Sequence, residues 1–188
     1  MNNKKAVILD RDGTINVDYG YVGEKEKFIY LEGAVEGLKK LSEAGCRLIV
    51  ITNQSGIARG YYSESQFKEL DQWMIDDLRA KGIEIDATYY CPHHPEAAIE
   101  QYRMDCECRK PKLGLFEKAI RDNDIELDDL YVIGDSYRDV ALCDRYSSVS
   151  GIVLYSDHNE QKDNVTFIEG GLDEASGIVL GTAYGKMD

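Results

Sequence analysis

Hydrophobic positions fall into two alternating patterns along this chain. Short aliphatic and β-branched runs predict buried strands near 5–9, 47–51, 87–91, 130–134 and 151–155, with a short one near 165–168. Between them, apolar residues recur every three or four positions and predict helices near 33–44, 64–81, 112–123 and 137–146. In the first helix Val35, Leu38, Leu41 and Ala44 share one face, and Gly45 stops it. In the second, Ser63 and Gln66 have capping-box spacing, Phe67, Leu70, Met74 and Leu78 form the apolar stripe, and Gly82 ends it. Such alternation predicts an α/β protein with a doubly wound, mostly parallel sheet and helices on both faces. No repeat, low-complexity tract or linker divides residues 1–188, so a single domain is expected. Two insertions, 16–30 and 92–111, are long enough to suggest function.

Composition narrows the partners. The hydrophobic fraction of 43% is ordinary for a globular protein. A net charge of −13 argues against nucleic acid, which needs a basic surface. No run approaches the roughly 18 apolar residues of a membrane span. The start, MNNKKAVILD, enters the first strand without the apolar core of a signal peptide, so a cytoplasmic location is expected. The five cysteines there should be thiols or ligands rather than disulfides. Cys46 and Cys143 are expected as buried thiols inside elements. No exposed apolar stripe stands out, and a monomer is expected.

The candidate chemistry lies where strands end. In an α/β sheet ligands meet the carboxyl ends of the strands. Val7-Ile8-Leu9 runs straight into Asp10-Arg11-Asp12-Gly13-Thr14. Leu48-Ile49-Val50-Ile51 runs into Thr52-Asn53-Gln54-Ser55-Gly56. Arg109-Lys110-Pro111 precedes a helix, and Tyr131-Val132-Ile133 leads into Gly134-Asp135-Ser136-Tyr137-Arg138-Asp139. A doubly wound sheet gathers these four loops at one edge. Paired carboxylates there can supply a nucleophile, a proton-transfer group and oxygen ligands for a divalent cation.

A second cluster has metal-ligand spacing. Cys91-x-His93, twelve residues, then Cys106-x-Cys108 offers three thiolates and an imidazole. That set suits tetrahedral Zn²⁺ and leaves no open position, so the zinc should be structural. It would stiffen the loop carrying Arg109 and Lys110. His94 reads as a spare surface residue or as an alternative ligand to His93.

The set DRDGTIN, TNQSGIARG, CPHHP…CxCRKP and GDxxxD resembles the haloacid dehalogenase-like superfamily of aspartate-nucleophile phosphotransferases. It looks like the zinc-containing, capless branch, which holds heptose bisphosphate phosphatases and histidinol-phosphate phosphatases. The resemblance implies Asp10 as nucleophile, Asp12 as acid and base, and Thr52 and Lys110 as phosphoryl binders. It implies Mg²⁺ on Asp10, the Asp12 carbonyl and Asp135, with Asp139 orienting Lys110 or a metal-bound water. It implies sugar contacts from Asp18, Tyr19, Gly20, Tyr21, Asn53, Gln54, Ser55 and Arg109, hence a small phosphorylated sugar as substrate. Within the branch, the Asp18–Val22 segment favours a heptose bisphosphate over histidinol phosphate. A bisphosphate also gives Arg109 a second phosphate to bind. One departure is Ser136, where the heptose members lead one to expect Lys. Two non-enzymatic readings compete with this one. A signalling receiver domain places its phosphorylated Asp at an interior strand, which the spaced Asp10-x-Asp12 on the first strand disfavours. A zinc-stabilised phosphate-binding protein without turnover has no need of the full set of acids, Thr52 and Lys110.

Overall fold

The computed structural model describes residues 4–156 and 162–182. Six strands form one sheet in the order β3-β2-β1-β4-β5-β6. They are β1 (Ala6–Leu9), β2 (Arg47–Asn53), β3 (Ala87–Cys91), β4 (Leu130–Gly134), β5 (Ser150–Val153) and β6 (Val165–Phe167). Every neighbouring pair is parallel, so the expected mostly parallel sheet is wholly parallel. The helices are α1 (Ala34–Glu43), α2 (Ser55–Arg59), α3 (Glu64–Ala80), α4 (Gly114–Asp122), α5 (Leu142–Arg145) and α6 (Leu172–Leu180). None is long and apolar enough to cross a membrane.

Side chains alternate across a strand, and both faces of this sheet are covered. Val7, Leu9, Leu48, Val50, Ile133 and Ile152 pack with Leu38 and Leu41 of α1, Leu70, Met74 and Leu78 of α3, and Leu172 and Val179 of α6. Ala6, Ile8, Ile49, Ile51, Val132 and Val153 face the other way, onto Leu115, Phe116 and Ala119 of α4 and Leu142 and Cys143 of α5. Both layers converge on β1 and β4. There the chain, having laid down β2 and β3 on one side, reverses to build β5 and β6 on the other. This switch point opens a crevice beyond the carboxyl ends of the two strands.

Several expectations shift. The predicted helix 137–146 is a 3-10 turn, Tyr137–Val140, followed by the single-turn α5. Helices α2 and α6 were not anticipated. On α1 the buried face is Ala34, Gly37, Leu38 and Leu41, while Ala44 is exposed. The cause is α6: a Cβ on Gly37 would strike the Leu172 backbone, so the missing side chain lets the helices touch. Cys143 is buried as expected, but Cys46 is half-buried in the turn between α1 and β2, outside any element. The polar stretch Asp157-His158-Asn159-Glu160, read from sequence as a loop, lies outside the described residues.

Candidate active site

β1 ends at Leu9, and the Asp10 N–H still donates to the Ile133 carbonyl at 2.9 Å. The sheet thus fixes Asp10 directly over the switch point. Its carboxylate is 6% exposed. The Lys110 ammonium, 3% exposed as a residue, lies 2.7 Å from Asp10, 2.7 Å from Asp139 and 2.7 Å from the Ile51 carbonyl. Burial lowers a lysine pKa, but two adjacent carboxylates outweigh it, and Lys110 is raised above its usual value. Asp139 is pushed up by burial and pulled down further by Lys110, ending below the usual carboxylate range.

Asp10 behaves differently. Burial, opposed by Lys110 and reinforced by the Asp139 charge, pushes it up to about 7. Asp135, at the end of β4, rises to about 6 through burial and the nearby Asp139. Asp10, Asp135 and Asp139 bring carboxylate oxygens within 4.8 Å of one another. Three carboxylates therefore face one ammonium, and Asp135 Oδ1 is buried without a hydrogen-bond partner. Hard oxygen donors crowded with excess negative charge fit a divalent cation such as Mg²⁺. Gly13 keeps the turn close: a Cβ there would strike the Asp135 carboxylate.

A cavity of about 330 Å³ opens above this centre. Of the residues singled out from sequence, Asp10, Asp12, Asp18, Gly20, Tyr21, Thr52, Asn53, Gln54, Ser55, Arg109 and Lys110 line it. Tyr19 does not; it is 61% exposed outside the cavity. Asp18 closes its own turn by accepting the Gly20 N–H at 2.8 Å. Tyr21 packs against Tyr61 in a tilted pair with ring centres 4.7 Å apart, and the Arg59 guanidinium lies over the Tyr21 ring. Two predicted contact residues are committed to the protein itself. Asn53 holds both backbone groups of Lys110, each at 3.0 Å. Gln54 donates to Asp12 and to Thr52 Oγ1 and accepts from the Tyr62 hydroxyl at 2.6 Å.

Arg59, Tyr62 and Arg138 also line the cavity and were not singled out from sequence. Arg59 ends the unanticipated α2, four positions beyond Ser55 and so on the same helical face. Ser136 turns inward, its hydroxyl donating to Asp139 at 2.6 Å, and Arg138 is the cation this turn presents to the cavity.

The sulfur cluster forms beside it. Cys91 and Cys106 sulfurs are 3.4 Å apart, Cys108 stands 3.2 Å from Cys91 and 3.1 Å from Cys106, and His93 Nδ1 is 3.3 Å from Cys108. Burial and the neighbouring Cys106 push Cys108 up to about 11 against the pull of Cys91. Cys106 itself, despite burial, is lowered by its neighbours, and a bound cation would hold all of them as thiolates. The cluster can hold zinc. His94 lies apart, its Nε2 3.2 Å from Arg59 and its Nδ1 accepting the Glu96 N–H. Arg109 is tied to the cluster by a 3.3 Å bond to the His93 carbonyl.

A buried carboxylate at a switch point, backed by a lysine and flanked by two more acids, defines a phosphotransferase centre of the haloacid dehalogenase-like kind. The comparisons agree. A family model described as polynucleotide kinase 3 phosphatase matches residues 5–159, and the chain belongs to this haloacid dehalogenase-like phosphatase family. The chain is 45% identical over 151 residues to a D-glycero-β-D-manno-heptose-1,7-bisphosphate 7-phosphatase of Pasteurella multocida, covering 80% of this chain and 81% of that one. It is 49% identical over 138 residues to the enzyme of the same name from Haemophilus ducreyi, covering 73% and 75%. Among solved structures it resembles a D,D-heptose 1,7-bisphosphate phosphatase of B. bronchiseptica, complexed with magnesium and phosphate. That match has a TM-score of 0.82 and 27% identity, over 95% of this chain and 99% of that one.

Proposed function

We propose that this chain is a Mg²⁺-dependent phosphomonoesterase that removes the 7-phosphate of D-glycero-D-manno-heptose 1,7-bisphosphate. The observation that carries the reading is the contact of Asp10 with Lys110 in the crevice between β1 and β4. Asp10 attacks phosphorus while Asp12 gives a proton to the departing sugar oxygen. Asp12 then takes a proton from water, whose oxygen attacks the aspartyl-phosphate and frees Asp10. Lys110 and Thr52 bind the phosphoryl oxygens, and Asp139 holds Lys110 charged and aimed. When bound by Asp10, the Asp12 carbonyl and Asp135, Mg²⁺ offsets the repulsion between carboxylate and phosphate dianion. Zn²⁺ on Cys91, His93, Cys106 and Cys108 is structural.

The sugar contacts fall to Asp18, Gly20, Tyr21 and Ser55, with Tyr19 outside the set in this structure. Arg59, Arg109 and Arg138 surround the cavity and suit a second phosphate, which histidinol phosphate lacks. Arg138 supplies the charge that Ser136 does not. The protein works as a single-domain monomer in the cytoplasm, a setting that suits a cluster of reduced thiols. Its product would feed nucleotide-activated heptose synthesis for surface glycans such as lipopolysaccharide.

The test is paired phosphate release from heptose 1,7-bisphosphate and histidinol phosphate with Mg²⁺, beside Asp10→Asn. A kcat/KM about a hundredfold higher for the bisphosphate, abolished in Asp10→Asn, is the expected result. A preference for histidinol phosphate overturns the substrate. Release from neither, nor from an aryl phosphate, leaves a phosphate-binding protein instead of an enzyme.

A further inference from the structure

Arg11 separates the two acids of the first motif, and its side chain is fully buried. Arginine is almost never that buried unless paired. Its guanidinium lies over the Phe28 ring, 5.9 Å from its centre, and over the Phe67 ring, 5.5 Å from its centre. From there it makes a two-pronged contact with its neighbour. Nε donates to Asp12 Oδ2 at 3.1 Å and Nη2 to Oδ1 at 2.9 Å. Nη2 also donates to the Val22 carbonyl at 2.8 Å, within the 16–30 insertion. Asn16 adds a bond to Asp12 Oδ1 at 3.0 Å and Gln54 one to Oδ2 at 2.9 Å. Each oxygen of the Asp12 carboxylate therefore receives two donors, Arg11 supplying one to each. The proton Asp12 carries in the first step must then take the place of a single donor, Asn16 or Gln54, while the Arg11 fork stays.

Stability is a poor reason for this arrangement. A buried ion pair is often replaceable by well-packed apolar groups at no loss, and a position against two phenyl rings suits one. What an apolar filler cannot do is fix the direction of the Asp12 carboxylate. A planar fork held by aromatic faces can, and a lysine cannot reproduce it. We propose that Arg11 is a positioning residue that aims Asp12 at the leaving-group oxygen. This rests on the reading of Asp12 as the proton-transfer group. As Asp10 bonds to phosphorus and the phosphorus–oxygen bond breaks, the electron pair stays on the leaving oxygen, which takes the Asp12 proton. A misaimed Asp12 therefore harms substrates whose leaving group is a strongly basic alkoxide. Nitrophenolate departs without that proton and escapes the effect.

The experiment compares glycerol phosphate and 4-nitrophenyl phosphate, with Mg²⁺, in the parent, Arg11→Lys and Asp12→Asn. In Arg11→Lys, kcat on the alkyl ester is expected to fall about a hundredfold with KM changed less than about threefold. Single-turnover release of nitrophenolate should stay within about threefold of the parent. In steady state it should appear as a burst, because hydrolysis of the aspartyl-phosphate still needs Asp12 as base. Equal loss on both esters in single turnover, or no loss on either, overturns the proposal. Asp12→Asn should show the same split. If it does not, the reading of Asp12 has failed, and the two failures are told apart. Should Arg11→Lys not fold by near-ultraviolet circular dichroism, Arg11→Ala titrated with guanidinium ion serves instead. Recovery of alkyl-ester turnover by guanidinium but not by ammonium supports the role; no recovery in folded protein overturns it.

Discussion

The Lys110 ammonium lies 2.7 Å from the Asp10 carboxylate, a hundred residues away in sequence. Its remaining contacts are Asp139 and the Ile51 carbonyl, which hold two of its three N–H groups and leave the one now on Asp10 to turn to a phosphoryl oxygen when substrate enters. Lys110→Met removes the ammonium that stands among three carboxylates. We expect kcat to fall about 10²–10³-fold, the usual loss for a donor aimed at developing charge. We also expect the rise in Tm on saturating with Mg²⁺ to be larger than in the parent, since the cation must then offset more of the repulsion, with the Arg138 guanidinium 3.8 Å from Asp139 left to share it. Calorimetry with and without Mg²⁺ checks it, and an unchanged Mg²⁺ effect counts against a shared site.

Asn53 holds Lys110 by the backbone. Its amide accepts the Lys110 N–H and donates to the Lys110 carbonyl, both at 3.0 Å. Asn53→Ala should lower kcat about tenfold with little change in KM, since it misplaces a charge without removing a substrate contact. It should also cost about 1–3 kcal/mol of stability from the unpaired backbone groups. Steady-state kinetics and urea unfolding measure the two. A raised KM at unchanged kcat would return Asn53 to the substrate.

The sulfur cluster ends one residue before Arg109, and the His93 carbonyl accepts from the Arg109 guanidinium. Elemental analysis of protein purified without chelator should find one zinc per chain. Cys108→Ser should lose it, lower Tm, and reduce kcat/KM about 10–100-fold even at saturating Mg²⁺. Full zinc content with unaltered kinetics in Cys108→Ser would assign the fourth ligand elsewhere.

Much of this was legible because it is local. The strands that lead to Asp10, Thr52 and Asp135 are short apolar runs that give way to polar residues. Their order along the chain is enough for a doubly wound sheet to collect them. The cluster of Cys91, His93, Cys106 and Cys108 is equally plain from spacing. What escaped depends on contacts between distant segments. Helix α6 has few polar residues to give it a solvent face, so its periodicity is faint, and Gly37 gains its meaning only against Leu172. Arg11 looks like a solvated charge until Phe28 and Phe67 are seen closing on it. Asn53 and Gln54 stand in the right loop, yet nothing in their spacing tells that their amides face the protein. Tyr19 fails for the opposite reason: its neighbours Gly20 and Tyr21 take left-handed conformations, and alternation along the loop no longer predicts which ring faces the cavity.

Asp71 supplies a pH dependence away from the metal-binding acids. It sits on α3, with Oδ1 buried and lacking a hydrogen-bond partner. Burial pushes its pKa up to about 6, against the pull of the Arg11 guanidinium and of Thr88. The ordinary value is 3.8, so between there and about 6 the folded state binds more proton than the unfolded chain. Stability from this group therefore falls as pH rises through that window, and above it the full cost of a buried carboxylate remains. Asp71→Asn removes the charge and keeps the shape. It should match the parent in unfolding free energy from urea titration well below pH 4 and exceed it at pH 8 by about 1–3 kcal/mol. Unfolding curves for both proteins across that range decide it. A gain of the same size at every pH would mean better packing instead of a relieved charge. A loss at pH 8 would mean that the attraction of Arg11 outweighs the burial of Asp71.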